Sequence, residues 1–293
     1  MENRKPYTFA IHGGDYTLIR EISRDTFNEF DRIHSKLNYY YRDFDLVSIL
    51  EANFIQFEHS FSELPKEFNP QHFDREKKLN ALFNVNRHAA NVLMAFRLFL
   101  DHTETRLKRS YGENSEMFEH FDETTSHFYD ETDDYSIIYQ LRNFVLHVGK
   151  PITATATANL QDKSEQTYNS EISWHLDRDV LLNKFDGWKE IEKKKLKEQP
   201  KEIDPLKLFE SAVNYIKGID EKVSSKEKAI LRDDAMKLMN LFDNEIEKAI
   251  NFAVGLVKIE DDNGKMEATL TKFPFGPLLD LGFEFENIDK PTS

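Results

Sequence analysis

Apolar positions near the N-terminus recur every second residue, and then the period lengthens to that of a helix. Tyr7-Thr-Phe-Ala-Ile-His12 and Tyr16-Thr-Leu-Ile-Arg20 flank Gly13-Gly14-Asp15, β-branched and aromatic residues around a glycine turn, which predicts a short hairpin. From Asp25 to about Leu64 the stripes are helical: Phe27, Phe30, Ile33, Leu37 and Tyr40, then Leu46, Leu50, Phe54, Phe57 and Phe61. Two helices broken near 43–45 follow from this. Asn69-Pro70 is a helix-start signal, and Leu79, Leu82, Val85, Ala89, Leu93, Phe96 and Leu100 carry a long helix to about Tyr111, before Gly112. Met117, Phe118, Phe121 and Phe128 predict a shorter helix. Asp133 or Asp134 then caps another, which Gly149-Lys150-Pro151 ends.

Beyond Pro151 the alternation returns, in Ile152-Thr-Ala-Thr-Ala-Thr-Ala-Asn-Leu160 and Glu171-Ile-Ser-Trp-His-Leu176, two strands joined by a polar loop. The Lys/Glu-rich stretch 189–207 reads as an exposed helix end and linker. Asp204-Pro205 starts a helix from Leu206 to about Lys217, and Ser224-x-x-Glu227 is a capping box that opens a second one, striped by Ala235, Leu238, Phe242, Ile246, Ala249, Ala253 and Val257. Lys265 to Lys272 reads as a last strand. The expected organisation is a hairpin at 1–22, a helical bundle at 23–151, a hairpin insertion at 152–177 and a C-terminal helical region with a terminal strand at 178–293. The fold class is mainly α, with small β-hairpin additions.

Composition supports a packed core: 39 % of residues are hydrophobic, and 24 Phe and 11 Tyr supply bulk to fill it. Cysteine is absent, which excludes disulfides, thiolate nucleophiles and Cys-based zinc sites. The first residues lack an apolar signal stretch and nowhere do ~18 apolar residues run together, so a cytoplasmic protein away from membranes is expected. The net charge of −14 argues against broad electrostatic capture of nucleic acid. Its distribution changes that picture. Nine acids and no Lys or Arg lie between Glu113 and Asp134; without those nine, 44 acids face 39 bases, and the rest of the chain has room for basic patches.

On a wheel of ~100° per residue, Ile137, Ile138, Leu141, Phe144, Val145 and Val148 share the core side of the helix that follows Asp133. Tyr139, Arg142, Asn143, Leu146 and His147 share the other. Two large apolar residues among three polar ones suit a surface covered by a partner. An Arg, a polar residue directly after it, and a His a few residues on, as in Arg142-Asn143-Phe-Val-Leu-His147, resemble the signature of the HEPN superfamily. The resemblance covers roughly residues 23–151, where it implies a HEPN-like helical bundle. It further implies a metal-independent, cofactor-free endoribonuclease, dimeric, with paired motifs forming one composite site. Arg142 and His147 would be catalytic, Asn143 would support them, and Tyr139 and Leu146 would lie at the dimer interface.

Chemistry gives that assignment independent sense. Cleavage of RNA through its own 2′-hydroxyl needs a base, charge stabilisation at phosphate, and an acid for the leaving oxygen. Histidine serves as base or acid near neutrality, and arginine offers a charged fork matched to phosphate oxygens. One motif holds one histidine, so two motifs across a homodimer would complete the set. The 2′-hydroxyl makes RNA the substrate. Arg106, Lys108 and Arg109, with Arg87 and Arg97 on the same helix and Tyr111 as a stacking surface, are candidates for guiding the RNA backbone; ordinary solvated ion pairs are the competing reading. His120 and His127 with Asp122 and Glu123 lack compact metal-ligand spacing. The acidity before the motif reads as a solvated acidic surface, with the competing reading that it repels RNA until a partner or trigger moves it; an inhibitory or activating protein partner is a further expectation. By analogy with the family, a toxin or phage-defence role is expected; the alternative is a non-catalytic scaffold or sensor that dimerises through the same face.

Overall fold

The computed structural model describes residues 6–12, 15–42, 45–66, 75–162, 167–242, 253–262 and 265–285. In chain order these form β1 (Tyr7–His12), β2 (Asp15–Glu21), α1 (Arg24–Arg42), α2 (Asp45–Ser62), α3 (Arg75–Tyr111), α4 (Glu116–Glu131), α5 (Asp133–His147), β3 (Ile152–Asp162), β4 (Thr167–Asp177), α6 (Arg178–Lys184), α7 (Glu190–Glu198), β5 (Glu202–Ile203), α8 (Pro205–Leu241), β6 (Ala253–Asp262), β7 (Lys265–Lys272) and α9 (Phe275–Asp280). The protein is mainly helical, and among the described residues there are two small antiparallel sheets, ordered β2-β1-β6-β7 and β3-β4-β5. No helix among the described residues is long and apolar enough to cross a membrane.

Two compact units emerge, residues 45–223 and residues 1–44 with 224–293. This division differs from the one the periodicity suggested. α1 belongs with the N-terminal hairpin and the C-terminal residues, not with α2–α5.

In the 45–223 unit, α2 lies along α3, and α3 against α4 and α5. Phe57 of α2 meets Phe209 of α8 edge-on at 4.8 Å, and Phe96 of α3 meets Tyr135 of α5 at 5.4 Å. Such tilted pairs fill a core while keeping ring edges on ring faces. Asn86, buried on α3, accepts from Ile152 N at 2.9 Å and donates to Ile152 O at 3.1 Å. This reciprocal bond ties the start of β3 to α3 and fixes the chain just after α5. α5 itself stops where Gly149 takes φ +123°, a left-handed conformation that side chains disfavour, with Val148 N returning to Phe144 O at 2.8 Å. At its other end Thr132 is the N-cap and makes no side-chain cap bond, so Asp133 and Asp134 occupy the first turn and not the cap.

In the other unit Phe30, Ile33, Leu37 and Tyr40 of α1 pack with Leu231, Ala235, Leu238 and Phe242, the last four from α8 and the residue just beyond it. β1 sits between β2 and β6, Tyr7 opposite Val257.

Several expectations are corrected here. The helix expected to end before Gly218 and the one expected to start at Ser224 are one helix of 37 residues, because buried residues continue without a phase break from Ile216 through Ile219, Val223 and Leu231. Ala253 and Val257, placed on a helical stripe, lie in β6, where pairing to both β1 and β7 overrides their spacing. Ile246 and Ala249 of that stripe, Asn69-Pro70 and the Gly13-Gly14 turn lie outside the described residues. The stretch 189–207 is not an exposed linker: it holds α7 and β5, and Glu192 and Leu196 are buried.

Candidate functional site

Ile137, Ile138, Leu141 and Phe144 of α5 face the core and are buried, as are Tyr135, Ser136 and Gln140. That orientation brings Arg142 and Asn143 to a half-buried flank and leaves His147 exposed at the helix end. Val148, expected in the core, is 38 % exposed because the helix has ended beneath it.

The flank is wired by hydrogen bonds of one polarity. Arg142 Nη1 donates to Asn143 Oδ1 at 3.1 Å, Asn143 Nδ2 to Gln140 Oε1 at 2.9 Å, and Gln140 Nε2 to Glu192 Oε1 at 3.1 Å. The chain thus runs from a guanidinium through two amides to a carboxylate, each donor pointing toward negative charge. Tyr129 also donates its hydroxyl to Glu192 Oε1, and Lys189 N reaches Glu192 Oε2 at 2.7 Å. Glu192 has no exposed surface, so these donors replace the water that a buried carboxylate would otherwise lack. Arg142 Nε is buried and has no hydrogen-bond partner among the described residues. The guanidinium therefore keeps an unused donor while Asn143 orients it.

His147 is held differently. Its ring stacks on Phe185, centroids 6.1 Å apart and planes within 10°. Phe185 in turn meets Phe144 and Trp188 edge-on. The arrangement needs Gly187: a Cβ there would collide with the far end of the Phe185 ring. Arg142 and His147 are separated along the helix axis by about 7.5 Å, five residues at ~1.5 Å each.

Tyr139 is half-buried beneath Arg97, whose guanidinium lies 4.6 Å from the ring centroid, and Leu146 is 50 % exposed. Among the residues expected to guide a backbone, Arg106 is buried, Lys108 is engaged by Glu104 at 2.9 Å and Glu113 at 3.4 Å, and Arg109 is exposed. Neither partner of Lys108 belongs to α5. His120 approaches Lys222 O at 3.4 Å, and His127 lies edge-on to Phe128. Among the described residues no group of three or more His, Asp or Glu side chains is set to hold a metal ion.

The reading from sequence missed Gln140, Glu192, Tyr129 and Phe185. One signal for Glu192 is present: Trp188, Glu192 and Leu196 recur every fourth residue, and all three are buried. An acid inside an apolar stripe points to a buried polar partner.

The chain matches no family model, and no curated protein or solved structure matches it either.

Proposed function

We propose that this protein is a metal-independent endoribonuclease of the HEPN kind, which cleaves RNA through its 2′-hydroxyl at a composite site made by two copies of α5. One observation carries the reading: a single helix flank holds a guanidinium fixed by Asn143 and an exposed imidazole steadied by Phe185. A run of solvated charges would leave such side chains free to move, whereas catalysis gains from groups already oriented. Arg142 is suited to take the charge developing on phosphate, and His147 to accept or donate the proton. The second histidine comes from the partner copy, with exposed Leu146 and Val148 on the covered face. That same exposed pair favours the rival reading, a non-catalytic scaffold or sensor that dimerises here.

The two are separated by incubating wild type, Arg142→Ala and His147→Ala with RNA in EDTA. Cleavage by wild type alone, with DNA and 2′-O-methyl RNA left intact, supports the enzyme. Equal traces from all three proteins reject it. A toxin or phage-defence role is the biological setting we infer, and expression in cells with and without the His147 substitution tests it by growth arrest.

A further inference from the structure

A cleft of about 240 Å³ opens between α3, α4 and α5, on the N-terminal side of Asn143. Arg97 and Tyr139 form one wall and Phe118, Phe121 and Tyr129 contribute to the other, with Lys189 at its edge. The Arg97 guanidinium is fixed in plane. Nε donates to Asp101 Oδ2 at 3.0 Å, Nη2 stands 2.8 Å from Asp101 Oδ1, and the Tyr139 ring lies against it. A fork held on both carboxylate oxygens and backed by an aromatic ring is a flat cationic platform that costs little to order when a ligand arrives. Across the cleft, the Asp122 carboxylate and the Ser126 hydroxyl have no side-chain partner among the described residues, while Glu104 is engaged by Lys108.

We propose that this cleft is a subsite for one unstacked nucleobase of the RNA that lies across Arg142 and His147. A base is a planar ring with donors and acceptors on its edge. Stacking on an Arg or aromatic plane and edge contacts to a carboxylate and a hydroxyl are how single-stranded RNA is read. The volume is below the ~300 Å³ at which pockets for drug-sized ligands begin, which fits one nucleotide and excludes a run of them. Tyr139 and Asn143 share a face of α5 one turn apart, so a base in the cleft sets its own phosphate beside the motif. Tyr129, in the opposite wall, shares Glu192 with the Gln140–Asn143–Arg142 chain, so the cleft wall and the motif rest on one buried carboxylate. The choice of RNA over a free nucleotide rests on the ribonuclease reading; the base-binding chemistry does not.

The test uses the full chain and a ten-nucleotide 2′-O-methyl RNA, which resists cleavage through the 2′-oxygen, followed by fluorescence anisotropy. AMP and UMP are titrated in parallel. Tyr139→Ala and Arg97→Lys are expected to weaken oligomer binding about tenfold, and Tyr139→Phe to stay within about twofold of wild type. Melting temperatures confirm that each variant is folded, and Arg97→Lys keeps the charge if Tyr139→Ala does not fold. AMP or UMP bound as tightly as the oligomer, with the same order among variants, supports the subsite and makes a free nucleotide its source. Equal affinity of all the proteins for the oligomer, or no binding of any probe, overturns it. Base binding retained with no cleavage of ordinary RNA removes the ribonuclease and leaves the cleft. Cleavage at wild-type rate by Arg97→Lys and Tyr139→Ala, with unchanged affinity, does the reverse.

Discussion

Glu192 receives Tyr129, Gln140 and the Lys189 amide while having no exposed surface, so its removal strands three donors at once. Glu192→Ala is expected to cost about 2–3 kcal/mol in urea unfolding, the penalty of leaving buried polar groups unpaired, and Glu192→Gln less, since the amide oxygen still accepts. Equal stability of wild type and Glu192→Ala would show that the carboxylate holds nothing in place. His34 offers a second residue-level test. Burial lowers its pKa, and Asp31 and the Lys272 carbonyl offset only part of that effect. The folded state therefore prefers the neutral ring and binds fewer protons than the unfolded chain. Stability should hold above the unfolded histidine value of ~6.5 and decline as pH falls below it. His34→Gln should flatten that part of the stability–pH curve in thermal melts from pH 7.5 to 5. Both residues were present in the sequence as ordinary polar letters. Burial gives them their effect, and burial is not a local property.

At the scale of elements, the caps are where local sequence acts most directly. Ser115 Oγ accepts from Phe118 N at 3.2 Å at the start of α4 and donates to Gly112 O at 2.7 Å. Ser115→Ala should cost about 1 kcal/mol, measured by chemical denaturation, and Ser115→Asp should restore most of it because a carboxylate caps as well. The opposite end of α4 is closed from a distance. Lys195 Nζ donates to the carbonyls of Tyr129, Asp130 and Thr132 at 2.9, 3.1 and 3.0 Å, which satisfies acceptors that a helix end leaves open. In sequence that lysine belongs to an undistinguished Lys/Glu run. Period placed α1, α2, the body and end of α3, and the strand pairs β1–β2 and β3–β4, because that signal is local, while the cap of α5 fell at Thr132 and not at the expected Asp133 or Asp134. Period and caps misjudged α8 at Gly218 and Ser224, where the buried stripe of Ile216, Ile219, Val223 and Leu231 runs on through both positions, and β6, where two neighbouring strands decide the state of Ala253–Val257.

For the whole molecule, the composite-site reading makes assembly a condition of activity. Leu146 is 50 % exposed, so Leu146→Asp should leave monomer stability within about 0.5 kcal/mol. It should shift the protein toward monomer in sedimentation velocity and reduce RNA cleavage in parallel. Cleavage at wild-type rate by a monomeric Leu146→Asp would end the two-copy mechanism. The net charge of −14 bears on the same scale: most of the acid excess sits on α4 and the start of α5. On the ribonuclease reading, RNA would therefore be drawn by the local cations Arg97, Arg142 and Lys189, and not by the field of the whole protein.

The sequence by itself determined that this chain is mainly helical, which face of the motif helix is apolar, and that Arg142, Asn143 and His147 leave on the other face. Period and residue type suffice for that, because both act within a turn or two of helix. Tertiary structure alone decided which groups hold those side chains: Glu192 lies 50 residues beyond Arg142, and Phe185 lies 38 beyond His147. It also decided that Tyr139 meets Arg97 across two helices. A contact between distant residues depends on how helices pack, and no spacing along the chain encodes it.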